Sequence, residues 1–234
     1  PTLTFDHYPP DGASHYESMI NAYKIIASAV GRDAEAEAIL EDVQAVYDMA
    51  SEAVAEAGQA GDGFILSQAY LSGDSPTFRL FTDNAMAIEI IEQIGLENAW
   101  DDVPGDYGFS TVDFEAFDAI GDVNFFYIAQ PDDNDVIVNA PVRDVSTFVQ
   151  SDKDHWLGGD VWLFGGPLSA VTLIETVTDA MGIELDSAGT SSAEGYPMTI
   201  EHELGTTTIE AIPERIVVLE YSFADHLGTL GVAP

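Results

Sequence analysis

Between Ser14 and Gly63 the apolar positions recur with a helical period. Ile39, Val43, Val46, Tyr47, Ala50 and Val54 fall on one stripe of a helix that starts near Asp33. Gly58, Gly61, Asp62 and Gly63 end it. An earlier helix is predicted from Ser14 to about Val30. Ser14 can cap it, Glu17 three residues on completes a capping box, and Gly31 fits the C-terminal stop. Before that helix, Pro1–Phe5 is a short β-like run closed by the turn residues Tyr8-Pro9-Pro10-Asp11-Gly12.

Beyond Gly63 short apolar runs alternate with helical ones. Strands are predicted at Phe64–Leu66, Phe78–Phe81, Val123–Ile128 and Asp160–Phe164. Helices are predicted from Asn84, as the cap, to Ile94, then at Asp113–Ile120, Pro141–Val149 and Leu168–Met181. Strands separated by such helices imply an α/β layered domain with a mostly parallel sheet. The small, polar run Asp186–Gly195 reads as a linker. After it come a hairpin of Met198–Glu203 with Thr206–Glu210 around Gly205, a buried strand Arg215–Tyr221, and a last helix from Ser222 to Gly231.

Charge narrows the possible partners. The chain carries 42 Asp+Glu against 6 Lys+Arg, a formal net charge of −36 over 234 residues. Two lysines and four scattered arginines cannot build the basic footprint that nucleic acid requires. An anionic membrane surface would repel the chain in the same way. With 46% hydrophobic residues it is not a disordered acidic tail. Molar salt shrinks the screening length to about 3 Å and removes most self-repulsion, so this composition fits a high-salt environment. Having no cysteine, the chain has no disulfide, thiolate nucleophile or Cys-type zinc site. No apolar run approaches the ~20 residues of a membrane span. Pro1 in place of Met, with no signal segment, implies a removed leader or a piece of a longer chain.

No catalytic or metal-ligating constellation stands out. His7, His15, His155, His202 and His226 are far apart and none forms an i,i+4 pair. His155, close to Asp152 and Asp154, reads as a surface histidine. Asp132-Asp133-Asn134-Asp135 lacks the Gly and Glu of a calcium loop and reads as a solvated acidic turn. The pairs Gly158-Gly159 and Gly165-Gly166 match no phosphate-binding pattern, and no serine sits in a nucleophile elbow. Trp100, Tyr107, Phe109, Trp156, Trp162 and Phe164 do lie at or beside Gly/Asp/Pro-rich turns. Singly each fits core packing; as a group they suggest an aromatic-lined cleft beyond the strand ends.

These segments resemble a known family. Trp162-Leu163-Phe164-Gly165-Gly166-Pro167-Leu168-Ser169-Ala170 is similar to a segment near the end of substrate-binding proteins of ferric-siderophore and cobalamin ABC importers. Leu96–Trp100 and Gly108–Glu115 resemble parts of that family's second lobe. Ala13–Gly31, with Arg32–Glu37 after it, resembles the long inter-lobe helix and the start of that lobe. Met198–Pro234, with Glu203-Leu204-Gly205-Thr206 and Ile212–Tyr221, resembles the family's beginning but follows the second lobe here. The order implies a tandem, trimmed or rearranged chain. Residues 1–31 would be the end of a first lobe and the inter-lobe helix, 32–182 the second lobe, 183–197 a linker and 198–234 the start of a first lobe.

The resemblance implies Rossmann-like three-layer α/β lobes joined by a long helix. It also implies an extracytoplasmic protein, membrane-anchored in full length, that captures an iron(III) chelate and delivers it to an ABC permease. It implies no catalysis, no cofactor and no metal ligand of the protein's own. The implied ligand contacts are Tyr107, Trp162, Phe164, Arg79 and, from the first lobe, Glu220 and Tyr221. Arg79 either faces an anionic chelate or pairs with a nearby carboxylate. Glu115 corresponds to the family's permease-docking glutamate, or is simply a solvated carboxylate at a helix start. An α/β hydrolytic enzyme and a non-transport sensor on the same fold remain the alternatives.

Overall fold

A computed structural model describes residues 8–9, 12–29, 33–73, 75–140, 143–185, 198–202 and 205–209. Helix α1 (His15–Ala29) starts as its sequence directs, with Ser14 Oγ accepting the Glu17 N–H at 2.9 Å. Helix α2 (Asp33–Glu56) buries Val43, Tyr47, Ala50 and Val54 along the expected stripe. Strands β1 (Gly63–Ser72) and β2 (Ser75–Phe81) then form an antiparallel hairpin, turned at Gly73 with φ 66°.

Helix α3 (Met86–Glu92) and the short strands β3 (Glu97–Asn98) and β4 (Phe109–Val112) follow. Next come a 3₁₀ turn at Phe114–Ala119, strand β5 (Asn124–Ile128) and helix α4 (Pro131–Val138). A second 3₁₀ turn, Arg143–Val145, leads into α5 (Thr147–Gln150), β6 (Asp154–Trp156) and α6 (Pro167–Ala180). A separate unit, 186–234, contains β7 (Met198–His202) and β8 (Gly205–Ile209), which pair as the expected hairpin. Pro1–Phe5, the predicted strand Arg215–Tyr221 and the last helix lie outside the described residues.

The sheet order is β4-β2-β1-β5-β6, with β3 also on β1. Pairings of β1 with β3 and β5, and of β5 with β6, are parallel; β2 runs antiparallel to β1 and β4. The result is an α/β sheet whose centre is parallel and whose β2–β4 side is antiparallel. Alternate residues serve its two faces. Phe64, Leu66, Phe126 and Ile128 pack with buried residues of α2, α3 and α6. Ile65, Phe78, Leu80, Phe125 and Tyr127 pack with Phe117, Ile137 and Phe148 on the other face. Covered on both sides, β5 is buried at every position, which explains the apolar run Phe125–Ile128.

Four expectations need correction. Asp160–Phe164 is not a strand; Val161 and Leu163 are buried while Trp162 is exposed, so a loop segment imitates strand alternation. The edge strand is β6 instead, whose Asp-His-Trp sequence carries no such pattern. Asn84 does not cap α3: the cap position is Ala85, with no side-chain bond, and the Asn84 amide is used elsewhere. Asp132–Asp135 is no turn but the start of α4, where carboxylates suit the helix dipole. Within it Asn134 is buried and accepts the Tyr127 hydroxyl at 2.9 Å. Of Pro141–Val149, residues 141–142 lie outside the description and the rest divides between a 3₁₀ turn and α5. Among the described residues no helix is long and apolar enough to cross a membrane.

Candidate ligand-binding cleft

An arc of aromatic rings runs along one edge of the lobe. Trp162, 58% exposed, meets Phe164 edge-on with centroids 6.0 Å apart. Phe164 tilts against the buried Phe81 at 5.9 Å, and Phe81 meets Phe109 at 6.0 Å. Phe109 leads to Tyr107 at 6.3 Å, and Tyr107 to Tyr8 at 5.3 Å. The cause is simple register. Phe81 and Phe109 are partners across β2 and β4, so the sheet brings both rings to one face and the flanking loops extend the row. Trp162 and Phe164 are thus linked to Tyr107 through Phe81 and Phe109.

Arg79 lies on the same face of β2, two residues before Phe81. Its guanidinium sits 5.1 Å from the Tyr70 ring centre and 5.0 Å from that of Phe109. One of its nitrogens donates to Gln68 Oε1 at 3.0 Å. No carboxylate among the described residues pairs with it. The half-buried cation remains available beside two rings.

A cavity of about 350 Å³ opens between α1 and the Gly165-Gly166-Pro167 entry to α6. Tyr8, His15, Met19, Tyr23, Met86 and Phe164 are among the residues that line it. Phe164 and Tyr8 therefore belong to both the arc and the cavity. Such a surface suits a bulky ligand with apolar bulk and a few polar groups, and needs no covalent chemistry. Sequence reasoning missed Tyr8, Tyr70, His15, Met19 and Tyr23. Only the helical spacing of Met19 and Tyr23, on a face of α1 left open by α2 and α3, signalled them.

The other expected residues lie apart from the arc. Glu115 is exposed on the 3₁₀ turn, its N–H held by Asp113 Oδ1 at 3.0 Å. Phe114 and Phe117 root that turn against Phe78, on the face opposite the arc. Glu220 and Tyr221 lie outside the described residues. Trp156 donates its indole N–H to the Ala129 carbonyl at 3.0 Å. His155 is not a surface histidine: it stacks on Phe126 at 5.2 Å, and burial holds its pKa below the usual imidazole range. Its neighbour Asp154 is taken by Arg143. Among the described residues no group of three His, Asp or Glu is placed to hold a metal ion.

With this geometry in view, known proteins were compared. No family model matches the chain. A 64-residue stretch is 34% identical to the putative ABC transporter substrate-binding lipoprotein YhfQ of Bacillus subtilis, covering 27% of this chain and 19% of that protein. A 42-residue stretch is 48% identical to the Fe(3+) dicitrate-binding periplasmic protein FecB of Escherichia coli, covering 18% of this chain and 14% of that one. The Fe3+-Desferal-bound siderophore-binding protein FhuD of Vibrio cholerae superimposes with a TM-score of 0.64 at 19% identity, over 70% of this chain and 61% of that one. The chain has the fold of these binding proteins. It spans less than two thirds of the length of each of the three. All three are named as binding components, none as an enzyme.

Proposed function

We propose that the chain belongs to the substrate-binding component of an ABC importer and captures an iron(III) chelate outside the membrane. The observation that carries this reading is the aromatic arc with an arginine beside it that no described carboxylate pairs, on a fold shared with siderophore-binding proteins. Tyr107, Trp162 and Phe164 supply the aromatic surface, and Arg79 a cation for the chelate's carboxylate, hydroxamate or catecholate oxygens. In this reading α1 is the inter-lobe helix and 32–182 the second lobe. Residues 198–234 begin a first lobe, with Glu220 and Tyr221 as its candidate ligand residues. Glu115, exposed and away from the arc, docks against arginines of the permease. Anchoring to the membrane belongs to the full-length protein.

Trp162 lies in the arc, so its fluorescence reports occupancy. Titration at molar salt with ferric citrate, ferric hydroxamates, ferric catecholates and cobalamin is expected to quench it for one class. Trp162→Ala should weaken that binding about tenfold or more, the loss of a well-packed aromatic contact. A flat response to every class would overturn the reading.

A further inference from the structure

The loop that carries Tyr107 is fastened to the lobe through a histidine of the cavity wall. His15, the first residue of α1, is only 7% exposed. Its backbone N–H donates to the Asn84 carbonyl at 3.1 Å. Its ring lies so close to Gly108 that a Cβ there would stand 2.9 Å from Cε1, and Tyr8 meets it edge-on at 5.7 Å. The Asn84 amide nitrogen lies 3.4 Å from His15 Nε2 and donates to the Gly105 carbonyl at 2.9 Å. Thr82 Oγ1 donates to Asn84 Oδ1 at 2.8 Å.

The donor directions follow from this network. The Gly105 carbonyl can only accept, so Asn84 turns its NH₂ to that side, and Nε2 faces a donor. A neutral imidazole meets this with its lone pair. An imidazolium carries N–H on both nitrogens and would set N–H against N–H in a buried place. Burial lowers the affinity of His15 for a proton, partly offset by a hydrogen bond with the backbone of Asp106.

We propose that His15 is a proton-sensitive latch: neutral, it ties α1 to the Asn84 turn and the Gly105–Gly108 loop, and protonated, it releases that loop together with Tyr107. The surrounding elements carry mostly acidic side chains, Glu17 on α1, Glu89 and Glu92 on α3, Asp83 in the turn, Asp102 and Asp106 in the loop, with one cation, Lys24, nine residues along α1. In dilute buffer the carboxylates draw a proton toward His15. Molar salt screens them beyond roughly 3 Å and leaves the donor geometry to decide. The sign is fixed by the lowered folded value. The latch is fully engaged above the ordinary imidazole value of 6.5 and is lost as pH falls from there through the folded one.

The latch stands without the transport reading, while its effect on chelate affinity rests on it. Imidazole ¹⁵N chemical shifts in molar KCl should show a His15 proton on Nδ1 alone, titrating below the ordinary imidazole value of 6.5. Backbone amides of 105–108 should lose about tenfold of their exchange protection over the same range. His15→Gln should flatten that profile. Asn84→Asp, which puts an acceptor before Nε2, should move it upward by about one pH unit, and serves should the glutamine variant not fold. A His15 that titrates at or above its ordinary value with unchanged loop protection, or an Asn84→Asp profile that does not move, would overturn the latch. If the loop titrates as expected but chelate affinity does not follow, the binding reading fails and the latch stands.

Discussion

Arg79 has two aromatic rings and the Gln68 amide for neighbours in a protein with 42 carboxylates. An arginine that serves folding in such a chain would be expected to take one of them, as Arg143 takes Asp154. Replacing it tests what the open charge does. Arg79→Gln should weaken an anionic chelate about tenfold, the order of one charged hydrogen bond, and a neutral one much less. Equal losses for both would mean the guanidinium serves packing. Gly108 tests the loop beside it. Its φ is +69°, and a Cβ would stand 2.9 Å from His15 Cε1 and 3.2 Å from Ala85 Cβ. Gly108→Ala should therefore cost about 1–3 kcal/mol in denaturant unfolding at molar salt. Gly105→Ala, where a Cβ meets nothing within 4 Å, should cost less than about 0.5 kcal/mol.

At the scale of elements, the docking of α1 on α3 turns on Ser14. Its Oγ accepts the Glu17 N–H and donates to Glu89 Oε2 at 2.7 Å. Burial raises the Glu89 pKa, while the bonds from Ser14 and the Tyr16 backbone lower it. A raised acid is tolerated best at low pH, and its cost grows as pH rises through the folded value. Ser14→Ala should thus cost about 1–2 kcal/mol near pH 8 and measurably less near pH 4, read from melting curves at both. The Ser14 cap and the α2 stripe were legible in the sequence because both are local, set by spacing along one helix. So was the buried centre of the sheet, because β5 is apolar from Phe125 to Ile128. What sequence could not show depends on partners far along the chain. Asn84 has the composition of a cap, but Thr82, Gly105 and His15 claim its side chain. Val161 and Leu163 alternate like a strand with no strand beside them, and β6 exists because β5 offers an edge. The site divides the same way: Trp162, Phe164 and Tyr107 advertise themselves at glycine turns, whereas Tyr70 joins Arg79 only through the β1–β2 hairpin register.

For the molecule as a whole the charge of −36 sets the conditions for everything above. Glu37, Glu41, Asp42, Asp48, Glu52 and Glu56 all lie exposed on α2, and the described ion pairs are few. At about 0.01 M salt the screening length is roughly 30 Å, comparable with the lobe itself, so these charges repel across its width. Circular dichroism should show the fold lost in dilute buffer and recovered as KCl rises. If screening is the cause, most of the gain comes below about 0.3 M, where the Debye length changes fastest; a gain that continues linearly to molar salt would point to solute exclusion. Lysines at positions 37, 41, 48 and 52 should lower the salt needed, and full stability of the native chain without salt would contradict the argument. The same field acts on the ligand. An anionic chelate approaching Arg79 meets one local cation and a distant excess of like charge. Salt weakens the distant repulsion over many ångströms but reaches the half-buried contact far less. Once the protein is folded, affinity for an anionic chelate should therefore rise with salt, and that for a neutral chelate should stay nearly level. Ordinary ion-pair binding falls with salt, so isotherms at three concentrations above the folding midpoint separate the two. A falling affinity would mean that the local cation, and not the charge of the whole surface, governs capture.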